Sequence, residues 1–555
     1  MQVDQTSKNL THSEIATDSV ALAIFTILAI LINGYQFANV NHDVHVPFLL
    51  KAANPSLFPN ANDLMFSFPF NNTLFYALSA PLVKRINIEA LFFGWYIIAA
   101  FFYYLAVFGL GKLIFKSRAV AYLSVILLLI YKISIAGEST YYELFYYNNL
   151  VMPGLIGAIY LFLKERYVWS FAITGLAFDI HALSASHVMA MFLFYFAFNR
   201  GDVSIKQVGK SLIAFLICAS PLLLWKILGG GSSIFYTTTN WSEWLMIMKI
   251  RNGHHLFPST WKIKGWEPIL LYIALLFSSI KYKPEPRYHK KLMAFCWAIL
   301  ALCVTGTIFA EIAPLKPVLM FQLLRSANFF IIFSMLYASN CIRSLILAPE
   351  KRAKFIAAAL VTALFFWGAN INSLSVAIFI FSLAWTARFT WERGALRREL
   401  KISWIFLSIV CLCIIGANAG TNRIDFPPKK LNDWQQLQVW VKNHTEPADL
   451  FITPPYMKGF RIFSQRSTVG DWKDGTLAFY NDELGAEWWK RMKELGYSES
   501  KYGYKYRAGF DALTQADFNR LASQYRATYL VVSKPKTLTF NIVYESPQFL
   551  VYRLQ

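Results

Sequence analysis

Between Val20 and Asn418 the sequence runs through one long apolar stretch after another, more uninterrupted hydrocarbon than a soluble core can absorb. Many of these runs are long enough to cross a hydrocarbon layer roughly 30 Å thick. The composition agrees: of 555 residues, 56% are hydrophobic and only 15% charged, against about 25% charged in soluble domains. The solvent for most of this chain is a lipid bilayer. Hydropathy places spans at 19–37, 90–111, 118–136, 149–163, 167–182, 184–199, 209–228, 267–281, 291–311, 317–342, 354–370, 372–387 and 402–418. The expected architecture is a polytopic α-helical membrane protein with about thirteen spans, followed by a soluble α/β domain.

A net charge of +21 raises the question of nucleic acid, and the placement of the cations answers it. They sit in short loops between spans: Lys112, Lys116 and Arg118; Lys164 and Arg166; Arg200, Lys206 and Lys210; Lys281 to Lys291; Arg343 to Lys354; Arg388 to Lys401. Retention of cations on the cytoplasmic side produces this pattern. No aromatic-plus-basic face accompanies them, so nucleic acid is not an expected partner. The other connections (38–89, 137–148, 183, 229–266, 312–316, 371 and 419–555) are poor in cations or very short, and are expected outside. An odd number of spans then leaves the N-terminus cytoplasmic and the C-terminal domain extracytoplasmic. Met1 to Asp18 lacks a basic leader, so the first span reads as uncleaved. All six cysteines lie within apolar spans, as small apolar residues would.

Two external loops are long. The first, 38–89, carries an expected interfacial helix from Asn72 to Arg85; the second, 229–266, opens with Gly229-Gly230-Gly231 and is rich in Trp and Tyr. After Asn418 the pattern changes. Helical periods cover Leu431–Asn443, Asp482–Leu495 and Thr514–Arg526, and strand patterns cover Asp449–Thr453, Thr528–Ser533, Phe540–Tyr544 and Phe549–Arg553. The chain thus divides into a transmembrane domain, 1–418, and an α/β domain, 419–555. The absence of an internal repeat argues against the common transporter architectures.

Ionisable residues concentrate at the external end. Directly after the first span stand His42, Asp43 and His45. A carboxylate between two imidazoles suits a general base whose charge state a neighbouring His sets, and equally suits ligation of a divalent cation. The alternative is that polar residues follow any span into water. Asp63 shares that loop, where it also reads as an ordinary turn residue. Arg325, flanked by Gln322 and Asn328, lies near the external end of an apolar span. A guanidinium there grips phosphate in a bidentate fork, or snorkels to the interface. Asp179 and His181 form another cluster at an expected external turn, and Glu138 and Glu143 stand among tyrosines, as sugar-binding loops and aromatic belts both do. His254 and His255 could meet a lipid phosphate from the second long loop. No nucleotide-binding or hydrolase motif occurs in a supporting context.

The span pattern, the long first loop and the terminal α/β domain resemble the GT-C superfamily of polyprenyl-phosphate-sugar-dependent glycosyltransferases. The layout is most similar to aminoarabinose transferases and protein O-mannosyltransferases. Residues Asn41 to Pro47, Asn54-Pro55-Ser56-Leu57-Phe58-Pro59, Phe451-Ile452-Thr453-Pro454-Pro455 and Asp471-Trp472-Lys473 look like those of a bacterial branch of that superfamily. The resemblance implies a bacterial inner-membrane enzyme with a polyprenyl-phosphate-linked sugar as donor and a glycan, lipid or protein as acceptor. It maps the catalytic base, an acidic residue just after the first span, to Asp43 and the donor-phosphate cation to Arg325. Family members often have paired acids in this loop, where this chain has His42-Asp43-Val44-His45. The rival readings are a lipid-linked glycan transporter or scaffold and a membrane acyltransferase. Asp43 and Arg325 sharing one externally open site favours transfer, whereas a cavity reaching both faces favours transport.

Overall fold

The computed structural model describes residues 12–39, 41–67, 73–230, 240–262, 266–282, 284–366, 424–426, 431–497 and 506–554. The expected spans at 372–387 and 402–418 fall outside the described residues, as do Gly231 and the last residues of the span at 354–370. Five described helices are long and apolar enough to cross a membrane: Ser13–Asn33, Ile88–Phe115, Tyr167–Phe198, Pro286–Glu311 and Lys316–Leu347. Their outer faces stay apolar where they meet no other helix, as at Ile97, Ile98 and Phe102, each more than a third exposed. Lipid solvates such a face.

Tyr167–Phe198 is a hairpin, because its ends touch. The rings of Tyr167 and Phe196 lie 5.5 Å apart, as do those of Phe171 and Phe192. In a straight helix rising 1.5 Å per residue the first pair would stand roughly 40 Å apart. The reversal is at His181, whose backbone leaves the helical region (φ −143°, ψ 83°), and its Nδ1 accepts from Ser184 N at 3.2 Å to start the second arm. The arms correspond to the stretches read from sequence as 167–182 and 184–199.

Other spans are shorter or more broken than hydropathy suggests, so about thirteen complete spans are not reached among the described residues. The stretch at 118–136 is α-helical only from Arg118 to Leu127. Its irregular continuation is satisfied by Asn33, which donates to Leu129 O at 2.7 Å and accepts from Tyr131 N at 3.3 Å. Irregular backbone at depth survives where such partners exist. The stretch at 209–228 bends by 63° between Ile205–Cys218 and Ser220–Leu228. The span at 317–342 breaks at Gln322, which adopts a left-handed conformation (φ 44°), so the long helix starts at Ala327. The interfacial helix of the first loop runs Phe75–Val83, and the second long loop holds a helix, Trp241–Leu256.

The two sets of connections gather at opposite ends of the bundle. At one end Arg118 meets Asp18, Lys290 meets Asp202 at 2.8 Å, Lys291 meets Glu165 at 3.0 Å, and Lys116 meets Glu285. At the other end the first loop, the turn after Tyr131, the hairpin turn, the helix Trp241–Leu256 and the break at Gln322 come together beneath the C-terminal domain. That domain is a five-stranded sheet of β1 (Leu450–Ile452), β2 (Ser467–Thr468), β3 (Tyr529–Ser533), β4 (Asn541–Glu545) and β5 (Phe549–Arg553), in the order β2-β1-β3-β5-β4. β1 is parallel to β2 and β3, while β5 is antiparallel to β3 and β4. Its helices Asp433–His444, Asp482–Glu494 and Gln515–Tyr525 begin at the side-chain caps Asn432, Asn481 and Thr514, each satisfying a backbone N–H that the first turn leaves free.

Polar clamps hold this domain on the bundle. Arg461 donates to Asp63 at 3.0 and 2.8 Å and to Asp474 at 2.8 and 2.9 Å, with all three residues buried. Trp244 Nε1 donates to Ala478 O at 2.9 Å, and Lys316 meets Asp482 at 2.8 Å. The geometry of the candidate site depends on this docking.

Candidate functional site

The polar string after the first span becomes the helix His42–Ala53, with Asp43 in its first turn. The orientation of His42 follows from its partners. Its Nδ1 accepts from Ala38 N at 3.0 Å, so the ring proton is on Nε2, which donates to Phe145 O at 2.6 Å. Burial pushes this imidazole down to about 4. His45 Nδ1 pairs with Tyr76 Oη at 2.9 Å, its ring packs edge-on to Tyr147, and burial pushes it to about 3. Both rings are neutral. They fix the loop, and the charge state of Asp43 is set elsewhere.

Asp43 is 4% exposed, and among the described residues neither of its oxygens has a hydrogen-bond partner. A buried carboxylate without donors is a stronger base than an exposed one. Burial therefore lifts this carboxyl well above the usual range, Asp471 lifts it further, and Lys473, Lys458 and Arg461 oppose the rise. All four charged neighbours belong to the C-terminal domain. Gly459, at φ 77°, closes over the carboxylate; a Cβ there would stand 3.5 Å from Asp43 Oδ1. The left-handed conformation is one that glycine adopts without strain.

Lys473 reaches in from the 3₁₀ helix Trp472–Phe479, which Asp471 caps by accepting from Lys473 N at 2.7 Å. Its ammonium donates to Asn41 Oδ1 at 3.3 Å. Burial brings this group down to about 8, helped by Arg251 and Lys458 and opposed by Asp43 and Asp471. Arg251 holds the same 3₁₀ helix, donating to Trp472 O at 3.1 Å and Thr476 Oγ1 at 3.2 Å.

The rings of His254 and His255 lie 3.9 Å apart between centroids, tilted by 41°, where Trp241–Leu256 unwinds at Asn252. His255 Nδ1 donates to Ala136 O at 2.5 Å, and burial keeps the two rings neutral, at about 4 and about 3, with Arg251 and Lys473 adding to the shift. Two residues along, Glu138 pairs with Arg325 and accepts from Tyr142 Oη at 2.7 Å. Arg325 also donates to Gln322 Oε1 at 2.7 Å, from a 3₁₀ turn rather than from the apolar helix expected for it. Asp43, Lys473, His254, His255, Glu138 and Arg325 thus line one interface between the bundle and the C-terminal domain.

The remaining candidates lie at its margin. His181 packs on Tyr147 at 5.4 Å, and Asp179 Oδ1 accepts from Leu222 N at 3.1 Å, which fixes the hairpin turn. The backbone carbonyl of Glu143 accepts from Gln36 N at 2.7 Å. Asp63 belongs to the clamp with Arg461. Among the described residues no group of three or more His, Cys, Asp or Glu is placed to hold a metal ion. Sequence reasoning attached a resemblance to Asp471-Trp472-Lys473 but no role, and assigned none to Arg251 or Arg461. The signal it lacked was the docking of a domain hundreds of residues away.

The described residues form a helical bundle with a long first loop, roofed by an α/β domain. A solved structure that shares it end to end is ArnT from Cupriavidus metallidurans bound to undecaprenyl phosphate: TM-score 0.50 at 11% identity, over 98% of this chain and 99% of that one. The same protein in its apo state gives 0.49 at 12% identity, over 98% of each chain. The first likeness shows the fold. Residues 432–495 match a family described as a domain of unknown function (DUF6798). No curated protein matches the sequence.

Proposed function

We propose that this chain is a membrane glycosyltransferase that moves a sugar from a polyprenyl-phosphate-linked donor to an acceptor hydroxyl at the external face, with inversion. The observation that carries the reading is Asp43: a buried carboxylate without a hydrogen-bond donor, faced by cations and placed at the same interface as His254, His255 and Arg325. Leaving such a group unsatisfied costs stability, and structures retain that cost where chemistry uses it. The undecaprenyl phosphate bound to ArnT supplies the donor class by analogy of fold.

In this reading Asp43 accepts the proton of the acceptor hydroxyl while the oxygen bonds to the anomeric carbon. The bond from that carbon to the phosphate oxygen breaks, its electron pair leaves with the polyprenyl phosphate, and nearby cations meet the charge. Arg325 is one such cation, and the phosphate competes with Glu138 for it. The basic end faces the cytoplasm of a bacterial inner membrane, with the N-terminus inside and the C-terminal domain outside. A glycan, a lipid or a protein would serve as acceptor, and a transporter or scaffold is the alternative without catalysis. The test is purification with native lipids and mass spectrometry. A co-purifying prenyl-phosphate sugar, converted to prenyl phosphate by wild type but not by Asp43→Asn, supports the reading. Equal turnover by the two overturns it.

A further inference from the structure

We infer that Lys473, contributed by the C-terminal domain, is the cation that first receives the phosphate of the lipid donor beside Asp43, ahead of Arg325, which the phosphate reaches only in competition with Glu138. The soluble domain then completes the binding site as well as covering it. This rests on the transferase reading and deepens it.

The argument is one of elimination among the positive groups at the interface. Arg325 is matched by Glu138 and Gln322. Arg251 spends its donors on Trp472 O and Thr476. Arg461 is saturated by Asp63 and Asp474. His254 and His255 are neutral. Lys458 is exposed to solvent. Lys473 alone combines a shielded position with an ammonium whose hydrogen bond is a long one, 3.3 Å to a neutral amide, and it has no carboxylate within ion-pair distance among the described residues.

Asp43 is its counterpart, a buried carboxyl group without a hydrogen-bond partner among the described residues. The two are near enough for each to shift the other's protonation, yet they do not touch. A buried carboxyl group and an ammonium, each short of partners among the described residues, are satisfied together by a ligand with an anion at one end and a hydroxyl at the other. A donor phosphate at Lys473 and an acceptor hydroxyl at Asp43 meet that description. The stem of Lys473 springs from a 3₁₀ helix anchored by Asp471 and Arg251, so its base is fixed while its flexible tip adjusts to the phosphate oxygens.

The experiment measures binding of undecaprenyl phosphate, undecaprenol and inorganic phosphate to the full-length protein in micelles, for wild type, Lys473→Met and Lys473→Arg. Wild type should prefer the lipid phosphate over the lipid alcohol. Lys473→Met should lose about tenfold of that preference with undecaprenol binding unchanged, the scale of one charged hydrogen bond, and Lys473→Arg should keep most of it. An undiminished preference in Lys473→Met overturns the inference and leaves the transferase reading standing. Equal loss of both lipids marks a structural role and also overturns it. Inorganic phosphate binding as tightly as the lipid makes Lys473 part of a free-anion site, which again overturns it. Wild type that fails to discriminate between the lipids removes the transferase reading, and the inference with it. Thermal unfolding of each variant checks folding. If Lys473→Met is unfolded, Lys473→Gln takes its place: a lost preference there supports the inference, and a retained one overturns it.

Discussion

Arg461 of the C-terminal domain and Asp63 of the first long loop are joined by two hydrogen bonds, 3.0 and 2.8 Å, with both side chains buried. The same guanidinium holds Asp474. Removing it strands two carboxylates away from water. Arg461→Leu is expected to destabilise the protein by about 3–5 kcal/mol, the scale for breaking a buried ion pair from one side. Thermal unfolding and limited proteolysis would show it as a lower midpoint and early release of the 431–554 region; a midpoint unchanged within a degree or so contradicts the clamp.

Asp43→Asn should behave in the opposite way. The carboxyl is lifted well above its ordinary value, so in the folded state the ionised form is penalised. A raised acid makes stability fall as pH rises from the ordinary carboxylate range through the raised value. Asp43→Asn removes that penalty, so it should be more stable than wild type at pH 8, by a margin that shrinks toward pH 4. Transfer should drop by about 10²–10⁴-fold. Parallel melting curves and turnover measurements test both signs.

His42 gives a separate acid limit. Its imidazole is held at about 4, below its ordinary 6.5, so between those values the unfolded chain binds the proton that the folded one refuses. Its contribution is complete above 6.5 and is lost as pH falls toward 4. His42→Gln, which can still donate to Phe145 O, is expected to lose less stability than wild type between pH 7.5 and 5. Identical pH slopes in the two proteins would remove His42 from the account.

Lys473 sets an alkaline limit. The ammonium is lowered to about 8, so its charge is lost as pH rises through that value. Affinity for undecaprenyl phosphate should decline above pH 8 in wild type and hold to about pH 9.5 in Lys473→Arg, whose guanidinium stays charged. Equal pH profiles would place the titrating group elsewhere.

The pair of Arg325 and Glu138 separates a donor cation from a structural one. Arg325→Lys is expected to weaken lipid-phosphate binding by about 1–3 kcal/mol, because an ammonium lacks the planar fork. Glu138→Gln should lower thermal stability yet tighten binding, since the phosphate no longer competes with a carboxylate. Titrations with the two variants should therefore move in opposite directions; a common direction makes the pair structural.

The sequence was most legible where local physics decides the outcome. Each capped amphipathic helix of the C-terminal domain lies within a few residues of its periodic pattern, because caps and apolar spacing act over one turn. It was less legible at Leu128 and Gln322, where hydropathy runs on but the helix stops. An apolar residue reads alike whether its backbone is helical or held by a distant Asn33. The candidate site was half legible. Asp43, His254, His255 and Arg325 stand out as polar groups in apolar surroundings and do share one interface. Glu138 was visible as a carboxylate but not as the partner of Arg325, and Lys473 was hidden because a lysine in a soluble domain is ordinary until that domain docks.

Asn41 and Lys473 touch across 432 positions of sequence. A ribosome reading from the N-terminus therefore lays down the floor of the site long before its roof. Until residues 459–473 have emerged and docked, Asp43 lacks both its cover and its neighbouring cations. A prematurely terminated product would carry the carboxylate in a wet, open cleft.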